Sequence, residues 1–417
     1  MKAFAYLRPA SVQEAVAAAA APGAAYLAGG TNLMDLMKIG AAAPDLVADV
    51  TRLPGLDRIE TLPDGAIRIG AMVRNADLAR DPAFAGAFPA VAEALLSGAS
   101  AQLRNMARVG GNLMQAPRCA YFQDPASACN RRDPGAGCAA RGGETRGHAV
   151  LGWAEGCIAT HPSDLCVPLA ALDAVVEVMG PDGSQDLPLE RFHPLPDARG
   201  IAAPLAQGVL ITGLRLPPGA ARFAPHARYL KLRERTSYAF ALVSAAAMLT
   251  LDGGVIAEAR IALGGVAARP WRARGAEAAL IGAAPEAPAF RRAADLALAG
   301  AGVPPRRGSG ACRRRRSAAA RIWRLPAPRP QARTGSRSSW PRASSCARWP
   351  KPPVARPRGC PRCQDPSSPP CLQERPMTNA NANAPSPPPS PASGSTHPPP
   401  PPPRQAMSAS APAPSGP

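Results

Sequence analysis

Four cysteines packed into one short segment carry the clearest chemical potential in this chain. They are spaced Cys119-x9-Cys129-x8-Cys138-x18-Cys157 and lie among Pro117, Pro125, Pro134, Gly135 and Gly137. That composition predicts a long ordered loop, and a long loop inside a compact domain needs something to hold it. Four thiolates can ligate a [4Fe–4S] cluster. They can also bind zinc, although the C-x2-4-C pairs usual at zinc sites are absent. Disulfides would need an oxidising compartment, and unrelated buried or free thiols are the plain structural alternative. Arg118, Arg131, Arg132 and Arg141 lie close enough in sequence to offset a cluster's negative charge. A fifth thiol, Cys166, reads as a small core residue, and His148 and His161 read as structural.

Two diglycine segments are the second feature. Tyr26-Leu-Ala-Gly-Gly-Thr-Asn-Leu33 sets two glycines and a hydroxyl between an apolar strand and a helix. Glycine lets a backbone approach a ligand closely, and consecutive N–H groups make an anion-binding concavity. Arg104-Asn-Met-Ala-Arg-Val-Gly-Gly-Asn-Leu113 repeats the Gly-Gly-polar pattern about 80 residues later. Neither matches G-x-G-x-x-G or a Walker A loop, and each alone could be an ordinary tight turn. Together they could face one long dinucleotide from two sides.

The elements that must position these residues alternate between strand and helix. Ser11-Val12-Gln13-Glu14 is a capping box before an Ala-rich helix over about 12–21, stopped by Pro22-Gly23. Strands are predicted over 25–28, 46–50 and 67–71, with a helix over 33–39 between the first two. Residues 75–100 read as helix broken near Pro82 and Pro89. Residues 169–178 and 208–216 are short apolar runs of either character. Residues 239–250 and 255–263 read as paired strands joined through Asp252-Gly253-Gly254, and 276–281 and 289–299 as helices.

The charge is segregated. The whole chain of 417 residues has 48 Lys+Arg against 29 Asp+Glu, but residues 301–417 alone hold 19 and 2 of these, with 29 of the 52 prolines. The basic character therefore belongs to the tail, which excludes reading the near-neutral body as a basic nucleic-acid-binding domain. No segment approaches the ~20 apolar residues of a membrane span, and no signal-length apolar run follows Lys2. The body carries no convincing hydrolytic triad, H-E-x-x-H or Walker motif, which leaves redox binding as the expected chemistry.

On four motifs the body, residues 1 to about 300, resembles the flavin-binding subunit of the xanthine dehydrogenase and aldehyde oxidoreductase family of molybdenum hydroxylases. These are AGGTNL, RNMARVGGNL, THPSDLCVPLAALDA (160–174) and YLKLRERTSYAFALVSAAAML (229–249). The stretches CNRRDPGAGCAARGG and GWAEGCIATHPSD further resemble a subgroup whose flavin subunit carries an additional [4Fe–4S] cluster. The resemblance implies an α+β fold. A two-lobed FAD-binding domain would span 1–220, with the four-Cys insertion at about 117–158, and a small α/β C-terminal domain would span 221–302. It implies that Leu27, Ala28, Gly29, Gly30, Thr31, Asn32 and Leu33 line the FAD pyrophosphate, with Ala107, Gly111 and Asn112 as the second wall. It implies that Ser163 and Asp164 hydrogen-bond the cofactor and that Lys231 approaches the flavin ring. Two local alternatives stay open: Asp164 as a helix cap and Lys231 as a solvated strand residue. Tyr121, Phe122 or Tyr238 could cover the ring.

The same resemblance implies a heterotrimer with a molybdenum-cofactor large subunit and a [2Fe–2S] small subunit. Substrate oxidation would take place in the large subunit, and the flavin would pass electrons to an external acceptor. No nucleic-acid or membrane partner is expected. The location is expected to be cytoplasmic on this chain's own sequence, or periplasmic if an exported partner carries it. The alternatives are a stand-alone FAD-dependent oxidoreductase and a nucleic-acid- or membrane-binding protein driven by its tail. Residues 303–417 depart from the family pattern. Their Arg/Pro/Ser/Ala/Cys composition with single tryptophans is that of a GC-rich gene translated out of frame, and they are expected to be a disordered frameshift product.

Overall fold

The computed structural model describes residues 1–302; the tail from 303 on, with the disorder and frameshift expected of it, lies outside the described residues. The chain begins with a three-stranded parallel sheet in the order Ala5–Leu7, Leu46–Asp49, Ala24–Leu27. The helices Val12–Ala19 and Leu33–Lys38 lie between these strands in sequence. The capping box forms: Ser11 Oγ accepts the Glu14 backbone N–H at 3.1 Å, and Glu14 accepts the Ala10 N–H at 2.7 Å. Val47 and Ala48, in the central strand, are completely buried. Of the three strands of this sheet, only the first, three residues long, was not expected from the sequence.

The second lobe is a five-stranded antiparallel sheet in the order Ile59–Thr61, Ile67–Gly70, Leu210–Leu216, Val175–Gly180, Gly183–Pro188. Three helices fill residues 75–97, with Pro82 and Pro89 each opening one of them, because proline is tolerated in the first turn where its missing N–H is not needed. Both lobes share one core. Ala15 and Val16 of the first pack into the same cluster as Ile69, Val91, Val176 and Leu214 of the second.

A four-stranded antiparallel sheet follows, in the order Trp271–Arg272, Val255–Gly264, Val243–Asp252, Ala227–Leu232, with the helices Arg274–Ala278 and Ala287–Ala297 beyond it. The two long strands join through Gly253 and Gly254, both at positive φ, the turn conformation that matches strand twist. Strand residues alternate between faces. Val243 and Ala245 accordingly enter this domain's core, while Ala246 and Met248 enter the core of the first domain. Burial on both faces explains why this segment reads as an unbroken apolar run.

The insertion is mostly irregular, with one turn of helix at Ala120–Gln123 and a 3-10 turn at Ala139–Arg141. An isolated antiparallel bridge pairs Cys129 with Cys138. No described helix is long and apolar enough to cross a membrane.

Candidate functional site

The two diglycine segments meet. A Cβ on Gly29 would lie 2.0 Å from the Met106 carbonyl oxygen and 3.0 Å from Ala107 Cα, so glycine is required there for space. Gly30, at φ +72°, turns the chain into the next helix. Gly110 donates its N–H to the Ala71 carbonyl at 2.8 Å, and a Cβ there would stand 2.9 Å from that of Ala71. Gly110 and Gly111 are not in a turn, as the spacing had suggested, but inside the short helix Val109–Leu113.

Between these walls opens a cleft of about 1010 Å³, at the upper end of ligand-pocket size. Ala28, Gly29, Gly30, Thr31, Asn32, Leu33, Ala107, Gly111, Asn112, Ser163, Asp164 and Lys231 all line it. Leu27 does not; its side chain packs beneath Gly30. Polar side chains tie the walls together. Asn32 Oδ1 accepts the Ala116 N–H at 2.9 Å, Asn112 Oδ1 accepts Ser163 Oγ–H at 2.7 Å, and Ser163 Oγ accepts the Cys166 N–H at 3.2 Å. Thus Ser163, not Asp164, supplies the hydrogen bond to the start of the helix Cys166–Ala171. Asn32 Nδ2 is buried with no protein partner, a donor positioned for a ligand.

Asp164 has a different task. It accepts Lys231 Nζ–H at 2.7 Å and Tyr229 Oη–H at 2.6 Å. The Lys231 side chain is only 3 % exposed, so it is a buried ion-pair member and not a solvated strand residue. Burial and the Asp164 carboxylate together push the Tyr229 hydroxyl well above its usual range. Arg104, Arg108 and Arg118 also line the cleft, a cationic lining suited to pyrophosphate. Tyr238 stands at the rim in a left-handed conformation, φ +51°. Tyr121 and Phe122 face elsewhere, into the thiol pocket.

Cys119, Cys129, Cys138 and Cys157, far apart in sequence, line that one small pocket. Burial pushes the Cys119 thiol up to about 11 and raises that of Cys157. The half-buried Arg131 guanidinium is drawn down by desolvation, and the Cys157 and Cys129 sulfurs oppose that shift. A tetrahedral zinc with Zn–S near 2.3 Å would bring its sulfurs within about 3.8 Å of one another. Among the described residues, His161, Cys166 and His193 are the only potential ligand trio with atoms all within 4.8 Å; the four thiols are spread more widely. The space between them is about 10 Å³, room for about one water molecule. Cleft and pocket are neighbours along the chain: Ala116 and Arg118 line one, Pro117 and Cys119 the other, and Ala159 and Thr160 divide in the same way.

His161 and His193 pack ring against ring, 4.2 Å between centroids, with Cys166 Sγ 4.0 Å from His193 Nε2. Burial holds His161 neutral, its pKa pushed down to about 4 against the opposing pull of the Leu113 backbone. His161 also lines the cleft. His148 and His161, both expected to be structural, lie within a few residues of the cysteine segment or of Ser163-Asp164.

Comparison with known proteins matches residues 2–219 to the FAD binding domain in molybdopterin dehydrogenase and residues 228–323 to the CO dehydrogenase flavoprotein C-terminal domain. The aldehyde oxidoreductase FAD-binding subunit PaoB of Escherichia coli K12 is 48 % identical over 283 residues, 67 % of this chain and 86 % of that protein. The carbon monoxide dehydrogenase medium chain of Hydrogenophaga pseudoflava is 27 % identical over 298 residues, 71 % and 86 % respectively. Among solved structures, a Cu,Mo-CO dehydrogenase chain superposes with a TM-score of 0.59 at 26 % identity, covering 78 % of this chain and 95 % of that one. A chain of quinoline 2-oxidoreductase from Pseudomonas putida 86 gives 0.58 at 25 %, covering 77 % and 94 %.

Proposed function

Because the chain belongs to the family of FAD-binding medium subunits of molybdenum hydroxylases, we propose that it holds FAD in the 1010 Å³ cleft and a [4Fe–4S] cluster on its four converging thiols. The observation that carries this reading is the side-by-side placement of two sites. One cleft gathers both diglycine walls, Ser163, Asp164 and Lys231, and Cys119, Cys129, Cys138 and Cys157 share the pocket beside it. Bound flavin and iron–sulfur groups supply the electron transfer; the protein supplies position and electrostatics.

The residues divide that work. Gly29 and Gly111 let the two walls close on a pyrophosphate, Arg104 and Arg108 balance its charge, and Asn32 Nδ2 is available to donate to it. Asp164 fixes Lys231, and Lys231 presents a cation where charge would collect on a reduced ring. Arg131 offsets the charge of the four thiolates. The chain would act within a heterotrimer, with an aldehyde-oxidising molybdenum subunit and a [2Fe–2S] subunit, and would deliver electrons to an external acceptor. The likeness to an aldehyde oxidoreductase subunit supports that assembly.

The test is the visible spectrum and iron content of the anaerobically purified full chain, co-expressed with its genomic neighbours, before and after dithionite. Flavin bands with a broad shoulder near ~400 nm and about four irons per chain are expected. Flavin without iron would reduce the insertion to a structural loop, and a colourless protein would refute both assignments.

A further inference from the structure

One of the four thiols is met by a histidine from outside the pocket lining. His148 is buried, 7 % exposed, and its Nε2 lies 3.2 Å from Cys119 Sγ. The imidazole is held in place from the backbone. The His148 N–H donates to the Thr145 carbonyl at 3.0 Å, and the Ala149 N–H donates to the Ile158 carbonyl at 2.8 Å, next to Cys157. A thiolate bound to iron has no proton to give. The contact then has only one possible sense, Nε2–H to sulfur.

We propose that His148 is a positioning residue that donates this hydrogen bond to the Cys119 sulfur of the cluster and thereby sets the cluster's reduction potential. The proposal rests on the reading of the four thiols as cluster ligands. Reduction adds one electron, and its charge spreads onto the sulfurs. A fixed donor stabilises the more negative state and raises the potential. The cluster would accept electrons more readily.

The experiment compares wild type, His148→Gln and His148→Met in the full chain co-expressed with its partners. Gln keeps an N–H donor at similar reach; Met has the same length and none. Iron is counted first, and the cluster is then titrated with EPR detection. The Met variant is expected to keep its iron and flavin while its cluster potential falls, with Gln restoring most of the difference and the flavin potential unmoved. Gln and Met shifted equally, both unshifted, or iron lost from both would overturn the proposal. Iron lost from Met alone, with Gln at the wild-type potential, would support the need for a donor. A wild-type chain without iron would refute the cluster itself, a result the iron count separates from any failure of His148.

Discussion

Gly29→Ala is the most direct test of how the cleft is built. Gly29 is not in the left-handed region, so its lack of a side chain answers to space alone. The added Cβ would sit 2.0 Å from the Met106 carbonyl oxygen and 2.7 Å from its carbon, where real Cβ atoms keep at least 3.0 Å. The two walls must therefore part by about 1 Å. No rotamer can relieve the clash, because the opposing atoms are backbone. That backbone is pinned by the Ala107 N–H to Leu103 at 2.8 Å and the Asn75 N–H to Ala107 at 3.0 Å. Overpacking costs about 1–3 kcal/mol and is worst where nothing can rotate away, so a total near ~3 kcal/mol is expected. The empty cleft can relax partly; a cofactor clamped between the walls cannot. The cost should divide between a melting temperature lowered by several degrees and FAD affinity weakened by up to about 100-fold. Flavin fluorescence titration of the apoprotein and thermal denaturation read the two shares. Gly86→Ala is the control, since nothing lies within 4 Å of its Cβ position in the helix Pro82–Ala87; it should be neutral or stabilising by up to ~1 kcal/mol. If Gly29→Ala binds FAD and melts like wild type, the close approach of the two segments is not what shapes the cleft.

Three further outcomes are expected. Asp164→Ala leaves the buried Lys231 ammonium without its counter-ion and Tyr229 without its acceptor; breaking a buried pair in this way should cost ~3–5 kcal/mol, and a loss under about 1 kcal/mol in chemical denaturation would contradict the pairing. Cys138→Ala should abolish or sharply reduce bound iron while flavin stays near stoichiometric, and iron retained at the wild-type level would exclude Cys138 as a ligand. His161 is held neutral in the fold, at about 4 against 6.5 in the unfolded chain. Between these values the unfolded state binds the extra proton, so stability is intact above about pH 6.5 and declines as pH falls towards 4, by at most about 3 kcal/mol. His193, also depressed by burial, adds to the same slope. Urea denaturation across that window should show the slope flattened in His161→Gln, and an unchanged slope would argue against a buried neutral His161.

Much of the local structure was legible because it is written in short-range chemistry. The Ser11–Glu14 capping box, the prolines that open two helices, and the Gly253-Gly254 hairpin each depend on neighbours within a few residues. The strands Ile59–Thr61 and Gly183–Pro188 left no such mark. Both lie on the outside of their sheet, partly exposed and short of apolar residues, so alternation is weak there. Gly110-Gly111 was misplaced for the opposite reason. Glycine is a poor helix former, yet the close approach of Ala71 keeps it inside a helical turn.

Residue types and spacing by themselves determined that two glycine pairs, an Ser-Asp pair and four thiols were present, and that the positive charge lay in the tail. They could not decide which of these met. Side chains separated by tens of residues come together only when sheets and cores pack. That packing brought Met106 against Gly29, turned Asp164 away from its helix towards Lys231, and gathered four cysteines around one pocket with His148 on the sulfur of Cys119. Such contacts are paid for by burial elsewhere in the chain, in the shared core of the two lobes and on both faces of the strand Val243–Asp252, and no local pattern records them.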